Sequence, residues 1–343
     1  MIKPSEIRLY TFYKFVDIEN PVEEVQKQKS LLMDIGVKGR IYISEEGINA
    51  QFTANTGQIM AYRLYLDSSV YFKDIPDIDV KSTHVKEHQF AKMTVRYRQE
   101  IVAMGRQVKS KDIEKHKKKV SIDEFKSILQ KNPNDYVFLD MRNEYEYKLG
   151  HFKNAVPAGT FTFKEINETV EKYKQEFQNK EIIMYCTGGI RCEKAAVLLA
   201  DSGMNDVKQL DGGIIKYLNN YNDENWLGNL YTFDNRVSVG VGSSIVGVCH
   251  YTNKPANKVF NCRYNNCEKQ IIALPDEYKH HFGFCSESCY QHAIKDLLIR
   301  NIEWDELDYK LMRREIKRNP EKKETYSNLI REHLFKKMER VSF

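Results

Sequence analysis

The first hundred residues alternate between two hydrophobic rhythms. Leu9–Phe15 is an aromatic-rich run that reads as a strand. Pro21 opens a stretch with helical spacing at Val25, Leu32 and Ile35, closed by Gly36. Arg40–Ser44 reads as a strand, Glu46-Gly47 as a turn and Ile48–Thr53 as the returning strand of a hairpin. Ile59–Leu66 follows as helix and Ile78–Val85 as a further strand. From Val120 onward the pattern changes. Ser121-x-x-Glu124 forms a capping box ahead of a helix face at Phe125, Ile128 and Leu129. Val137–Asp140 and Glu181–Tyr185 are short apolar strands, and Glu165–Phe177 is helical between them. Arg191–Ser202 is an amphipathic helix ending at Gly203, and Val207–Leu210 is a strand followed by Gly212-Gly213. From Trp226 the chain carries five of its seven cysteines, then turns from about Ser288 into a polar, helix-forming tail. Pro320 divides that tail into two helices, and Trp304, Tyr309, Leu311 and Met312 offer it a packing face.

The first rhythm, β-α-β-β-α-β, is the split βαβ, ferredoxin-like α+β plan. The second, strands alternating with helices, implies an α/β domain around a parallel sheet. A chain of 343 residues holds two or three domains of ordinary size. The boundaries expected are 1–110 for the ferredoxin-like domain, 111–225 for the α/β domain and 226–343 for a cysteine-bearing hairpin and C-terminal helices.

Composition changes this picture little: charged residues are 29% and hydrophobic residues 41%, which suits a folded protein rather than a disordered one. The net charge of +5 forces no nucleic-acid partner, but its distribution matters. Between Arg96 and Lys119 nine basic residues face three acids, a local surplus larger than that of the whole chain. The commoner meaning of such a run is a solvated linker helix; the sharper one is a phosphate-binding stripe, with Arg96 and Arg98 as contacts and Tyr97 able to stack on a base. The longest apolar runs, Ala195–Ala200 and Ile245–Cys249, are far below the ~20 residues of a membrane span. Lys3, Glu6 and Arg8 leave the start without the apolar core of a secretory signal. A cytoplasmic placement is therefore expected, with cysteines as thiols or metal ligands rather than disulfides.

The strongest chemical signal is Tyr185-Cys-Thr-Gly-Gly-Ile-Arg-Cys192, a loop between a strand and a helix. Its glycines let backbone N–H groups crowd inward and, with the helix N-terminus behind them, form an anion pocket. Cys186 opens that loop. Amides, helix dipole and Arg191 would lower its pKa and make it a nucleophile, although a small buried hydrophobe is the plainer reading of a free cysteine. Thr187, Gly188, Gly189 and Ile190 would line the substrate pocket. Cys192, a turn into the helix, suits packing as well as redox chemistry.

Cys186-x4-Arg191 resembles the six-residue active loop of rhodanese domains. Two further stretches carry the resemblance: Asp140-Met-Arg142-Asn-Glu144-Tyr-Glu146 leading to Gly150-His151-Phe152-Lys-Asn-Ala155, and Gln209-Leu-Asp211-Gly212-Gly213-Ile214. It implies a persulfide-bearing Cys186, structural roles for Asp140, Arg142 and His151, and a tight turn at Gly212-Gly213. Upstream, Gly39–Gln51 and Lys92–Arg96, together with a cysteine tail from Cys249, make the order of segments similar to the bacterial tRNA uridine hydroxylase family, from Ile7 to about His292. That resemblance implies 5-hydroxylation of the wobble uridine, with molecular oxygen as co-substrate and a tRNA anticodon loop as partner. No flavin, haem or 2-His-1-carboxylate pattern is present in the sequence. Glu46, Asn49 and Gln51 could reach a ligand from the hairpin, or serve only turn and strand chemistry. The alternatives are a sulfurtransferase moving sulfane sulfur from thiosulfate, and a non-enzymatic RNA-binding adaptor with a vestigial loop.

Cys262-x4-Cys267 and, seventeen residues on, Cys285-x3-Cys289 have the outline of a four-thiolate zinc site. Cys249, His250, His280, His281 or His292 could replace one ligand, and a set of reduced thiols in a small core is the plainer reading. Zinc here would be structural, holding a hairpin with few apolar residues of its own.

Overall fold

The computed structural model describes residues 6–73, 81–131, 133–177, 180–222, 224–242 and 244–299. Pro320 and the packing face at Trp304–Met312 lie outside them. The chain divides into two compact units, 1–243 and 244–343.

The first unit begins with β1 (Arg8–Phe15), α1 (Pro21–Asp34), β2 (Lys38–Ser44), β3 (Gly47–Ala54), α2 (Thr56–Ser68), β4 (Lys81–His84) and β5 (Met93–Tyr97). The sheet order is β4-β1-β3-β2-β5. Its first four strands are the ferredoxin-like plan, all antiparallel. Alternation places Tyr10, Phe12, Ile41, Ile43, Ile48, Ala50 and Phe52 on one face, where they pack with Leu32, Tyr62 and Leu66 of the two helices. Asn55 caps α2 through a reciprocal box with Gln58. The opening of the expected strand at Ile78 lies outside the described residues.

β5 corrects the reading of the basic stretch as one linker helix. Met93–Tyr97 pairs parallel to β2, with Arg96 opposite Tyr42. The next residues form a loop that buries Ile101, Met104 and Val108 in the core of the second sheet. Helix is confined to α3 (Ser110–His116). β-branched Thr94 and Val95 favour the strand, and its partner lies some fifty residues upstream, beyond any local signal.

The unit continues with β6 (Lys119–Val120), α4 (Ile122–Lys131), β7 (Tyr136–Asp140), α5 (Glu144–Leu149), β8 (Gly150–Phe152), β9 (Ala155–Pro157), α6 (Ile166–Glu176), β10 (Glu181–Tyr185), α7 (Ile190–Asp201), β11 (Val207–Leu210), α8 (Gly213–Tyr221), β12 (Trp226–Tyr231) and β13 (Ser238–Gly240). Strands β6-β11-β10-β7-β9 form a parallel sheet covered on both faces. Val137, Leu139, Ile182 and Met184 face α6 and α7. Phe138, Ile183 and Tyr185 face α4 and α8. β12 pairs antiparallel with β8, and Trp226 meets Phe152 edge-on at 5.1 Å.

The second unit holds a hairpin of β14 (Lys258–Asn261) and β15 (Gln270–Ala273), then α9 (Pro275–His280) and α10 (Glu287–Ile299). Its small core gathers Cys262, Ile271, Phe284, Cys285, Tyr290 and Ala293.

Candidate active site

β10 ends at Tyr185 and delivers Cys186 to the carboxyl edge of the parallel sheet, where ligands of open α/β sheets bind. The Cys186 Sγ accepts the amide N–H of Gly189 at 3.1 Å. Gly189 has φ +108°, and a Cβ there would lie 2.6 Å from the Tyr13 hydroxyl. A second helix start braces the loop from behind: Ile214 N–H donates to the Cys186 carbonyl at 3.0 Å and Ile215 N–H to that of Thr187 at 3.1 Å. This needs glycine at 213, where φ is +63° and a Cβ would sit 2.5 Å from the Cys186 oxygen.

Cys186 is fully buried. Burial alone would push its thiol up, but the Cys192 thiol, the Arg191 charge and the amides of Cys192 and Gly189 outweigh it and hold the pKa well below the ordinary thiol value. Cys192 moves the opposite way, raised by burial and by the sulfur beside it. The opposite directions favour the thiolate form at Cys186 and the neutral thiol at Cys192. The sequence leaves packing and redox roles open for Cys192; the structure places it buried beside the Cys186 sulfur.

Arg191 is buried and clamped. Its two terminal nitrogens donate to the Glu146 carboxylate at 2.6 and 3.0 Å, and Nη2 also reaches Thr187 Oγ1 at 3.4 Å. This bidentate fork fixes the guanidinium beside the loop. Asp140 and Arg142 form a fully buried pair at 2.6 Å, and Arg142 also donates to the Gly150 carbonyl. The His151 ring stacks on Tyr147 at 4.0 Å, away from the thiolate's hydrogen bonds.

The N-terminal sheet reaches this loop. Lys81 Nζ donates to the Gly188 carbonyl at 2.6 Å, and the Tyr13 hydroxyl donates to Glu193 at 3.0 Å. Glu46 is buried: its carboxylate accepts the Ile101 and Val108 amides at 2.8 and 3.1 Å and pairs with Lys194 at 3.0 Å. Asn49 donates to the Ile101 carbonyl at 3.0 Å. Both residues thus hold the connection between the sheets. Arg96 and Arg98 are exposed. Glu146, Tyr13, Lys81 and Lys194 carried no independent signal in the sequence, though Glu146 lies inside the rhodanese-like stretch already noted.

In the second unit the Sγ atoms of Cys262, Cys267, Cys285 and Cys289 all lie within 4.8 Å of one another. Cys285 is 3.7 Å from Cys267 and 3.6 Å from Cys289. Tetrahedral zinc with ordinary Zn–S bonds requires sulfur–sulfur edges of about 3.8 Å, so the set fits the ion. Cys249 stands apart, accepting the Leu274 amide at 3.5 Å, and His281 stacks on Tyr251 at 4.1 Å.

Residues 7–101 match the family described as UPF0176 acylphosphatase like domain, 121–220 the Rhodanese-like domain and 227–290 the Rhodanase C-terminal family. A protein of Chlamydia pneumoniae named tRNA uridine(34) hydroxylase is 37% identical over 287 residues, covering 82% of this chain and 86% of that one. Proteins of the same name from Chlamydia trachomatis and Bacillus licheniformis are 36% and 34% identical; they cover 82% and 84% of this chain, and 85% and 89% of their own lengths. On this identity and coverage, the chain belongs to the tRNA uridine(34) hydroxylase family.

Proposed function

We propose that this chain hydroxylates C5 of the wobble uridine of tRNA, with molecular oxygen as co-substrate and Cys186 as the reacting side chain. The observation that carries the reading is a stabilised thiolate at Cys186 in a chain that matches hydroxylases over most of its length. A uracil ring accepts nucleophiles at C6. The Cys186 sulfur would add there, shifting electron density to C5, which bonds one atom of O2. An external thiol reductant would supply two electrons and two protons, breaking the O–O bond and releasing the other atom as water, and loss of the C5 proton with departure of the thiolate restores the ring. The balanced change is uridine, O2, two electrons and two protons giving 5-hydroxyuridine and water. An anticodon-loop base is already unpaired, so presenting it to the loop costs no base pair. Thr187, Gly188, Gly189 and Ile190 line the pocket in this reading, and Arg96 and Arg98 meet the RNA backbone. Among the described residues no helix is long and apolar enough to cross a membrane. A tRNA substrate is the ground for expecting the reaction in the cytoplasm.

Deleting the gene and measuring tRNA nucleosides by mass spectrometry tests the assignment. Loss of 5-hydroxyuridine and its derivatives, restored by the gene, is the expected result. Loss of a thiolated nucleoside instead would point to sulfur transfer.

The four clustered cysteines are proposed to hold one structural zinc. Purified protein should carry about one zinc per chain. Stripping it with a strong chelator should make residues 244–299 sensitive to protease while the first unit stays resistant, because folding energy in such sites comes largely from the metal. A metal-free second unit that resists protease equally well would remove the zinc from this account.

A further inference from the structure

The N-terminal sheet has helices on one face only. Part of its other face is covered: Phe15 packs into the core of the parallel domain, and Tyr13 meets the Cys186 loop. The part formed by β2 and β5 is more open: Arg40, Tyr42 and Thr94 are half-buried and Arg96 is exposed. Pairing puts Arg40 opposite Thr94 and Tyr42 opposite Arg96 on this face, with Gln51 and Asn49 opposite them on β3. No aspartate or glutamate occupies these positions. The Arg98 and Arg40 guanidinium groups lie over the Tyr42 ring at 5.2 and 5.7 Å. Arg40 then donates to the Phe233 carbonyl at 2.7 Å. The Phe233 ring is 37% exposed, and the Arg191 guanidinium stands 5.7 Å over it. Arg191 in turn lowers the pKa of Cys186. Cations and aromatic rings thus alternate from Arg98 through Tyr42, Arg40 and Phe233 to the reacting sulfur.

We propose that this strip is the track for the single-stranded anticodon loop, with Tyr42 and Phe233 stacking on bases beside the target uridine and Arg40, Arg96 and Arg98 taking phosphates. Single-stranded RNA is held by this combination, because every base has a face to stack and every linkage a charge to neutralise. Guanidinium planes stack on bases as readily as on tyrosine. The inference rests on tRNA being the substrate and adds where and how it binds. Tyr97, the aromatic residue of the basic stretch in the sequence, faces the other way and donates its hydroxyl to Glu45.

The test is binding of a fluorescent anticodon stem-loop RNA with an unpaired wobble uridine, followed by anisotropy. Tyr42→Ala and Phe233→Ala should each weaken binding about tenfold or more, whereas Tyr42→Phe should restore it. Arg96→Ala should weaken binding and reduce the slope of log K against log salt by about 0.7. Tyr97→Ala, on the opposite face, should bind as the unmodified protein does. If the unmodified protein hydroxylates tRNA while Tyr42→Ala, Phe233→Ala and Arg96→Ala bind the stem-loop as tightly as it does, the track is wrong and the hydroxylase reading stands. If the unmodified protein neither binds the stem-loop nor hydroxylates tRNA, both fall.

Discussion

Cys186→Ser is expected to abolish formation of 5-hydroxyuridine, a loss of about a thousandfold or more in rate. A serine hydroxyl keeps its proton at neutral pH in surroundings that favour an anion, so the nucleophile is lost while volume and loop geometry are retained. Because the thiol pKa is depressed, the activity of the unmodified protein should rise with pH below the ordinary thiol range rather than through it. Stability follows with a definite sign. A lowered pKa contributes stability that is full above the unfolded thiol value and lost as pH falls through the folded one. Cys186→Ser should therefore cost more at pH 9 than at acidic pH. Nucleoside mass spectrometry reads the first effect and thermal melting the second. A serine variant that hydroxylates at the normal rate would exclude covalent attack by this residue.

Lys194→Ala should destabilise the first unit by about 3–5 kcal/mol at neutral pH. Lys194 is fully buried and, among the described residues, is the cation paired with two carboxylates, Glu46 at 1% exposure and Glu100 at 13%. Removing it leaves both charges without a counter-ion between the two sheets. Burial already raises the Glu46 pKa above the ordinary carboxyl value, against the pull of Lys194 and of the Ile101 and Val108 amides. A raised carboxyl favours the fold below its unfolded pKa and loses that advantage as pH rises through the folded one. The variant should thus be weakest at neutral pH and recover part of its stability near pH 5. Combining Lys194→Met with Glu46→Gln and Glu100→Gln should return only part of the loss: no unpaired charge remains, but each glutamine replaces one oxygen that accepts a backbone amide with an NH2 that cannot. Melting curves of the three proteins decide it; equal stability of Lys194→Ala and the unmodified chain at neutral pH would show the triad to be solvated.

The features legible in the sequence were those written locally. Strand, glycine loop and helix around Cys186 occupy consecutive residues, and the spacing of Cys262, Cys267, Cys285 and Cys289 anticipated their convergence. The features that were hidden depend on distant partners. Glu46 looks like a turn residue because nothing nearby announces Lys194, which is 148 positions away. β5 is legible only once β2 stands beside it, and Tyr13 and Phe233 gain meaning only from the loop and the arginines they meet. Cys192 was ambiguous because its role depends on which of two adjacent sulfurs keeps the proton.

Helix α7 ties these threads together. It starts at the Cys186 loop, and within its first five residues it presents Arg191 to Glu146, Glu193 to Tyr13 and Lys194 to Glu46. Two of those three partners belong to the N-terminal sheet. The parallel domain is therefore not an interchangeable module. Cut free at residue 110, it would carry an orphaned ammonium on its most important helix and a cysteine stripped of its cover. A graft meant to move this chemistry to another protein has to take the neighbouring sheet along with it.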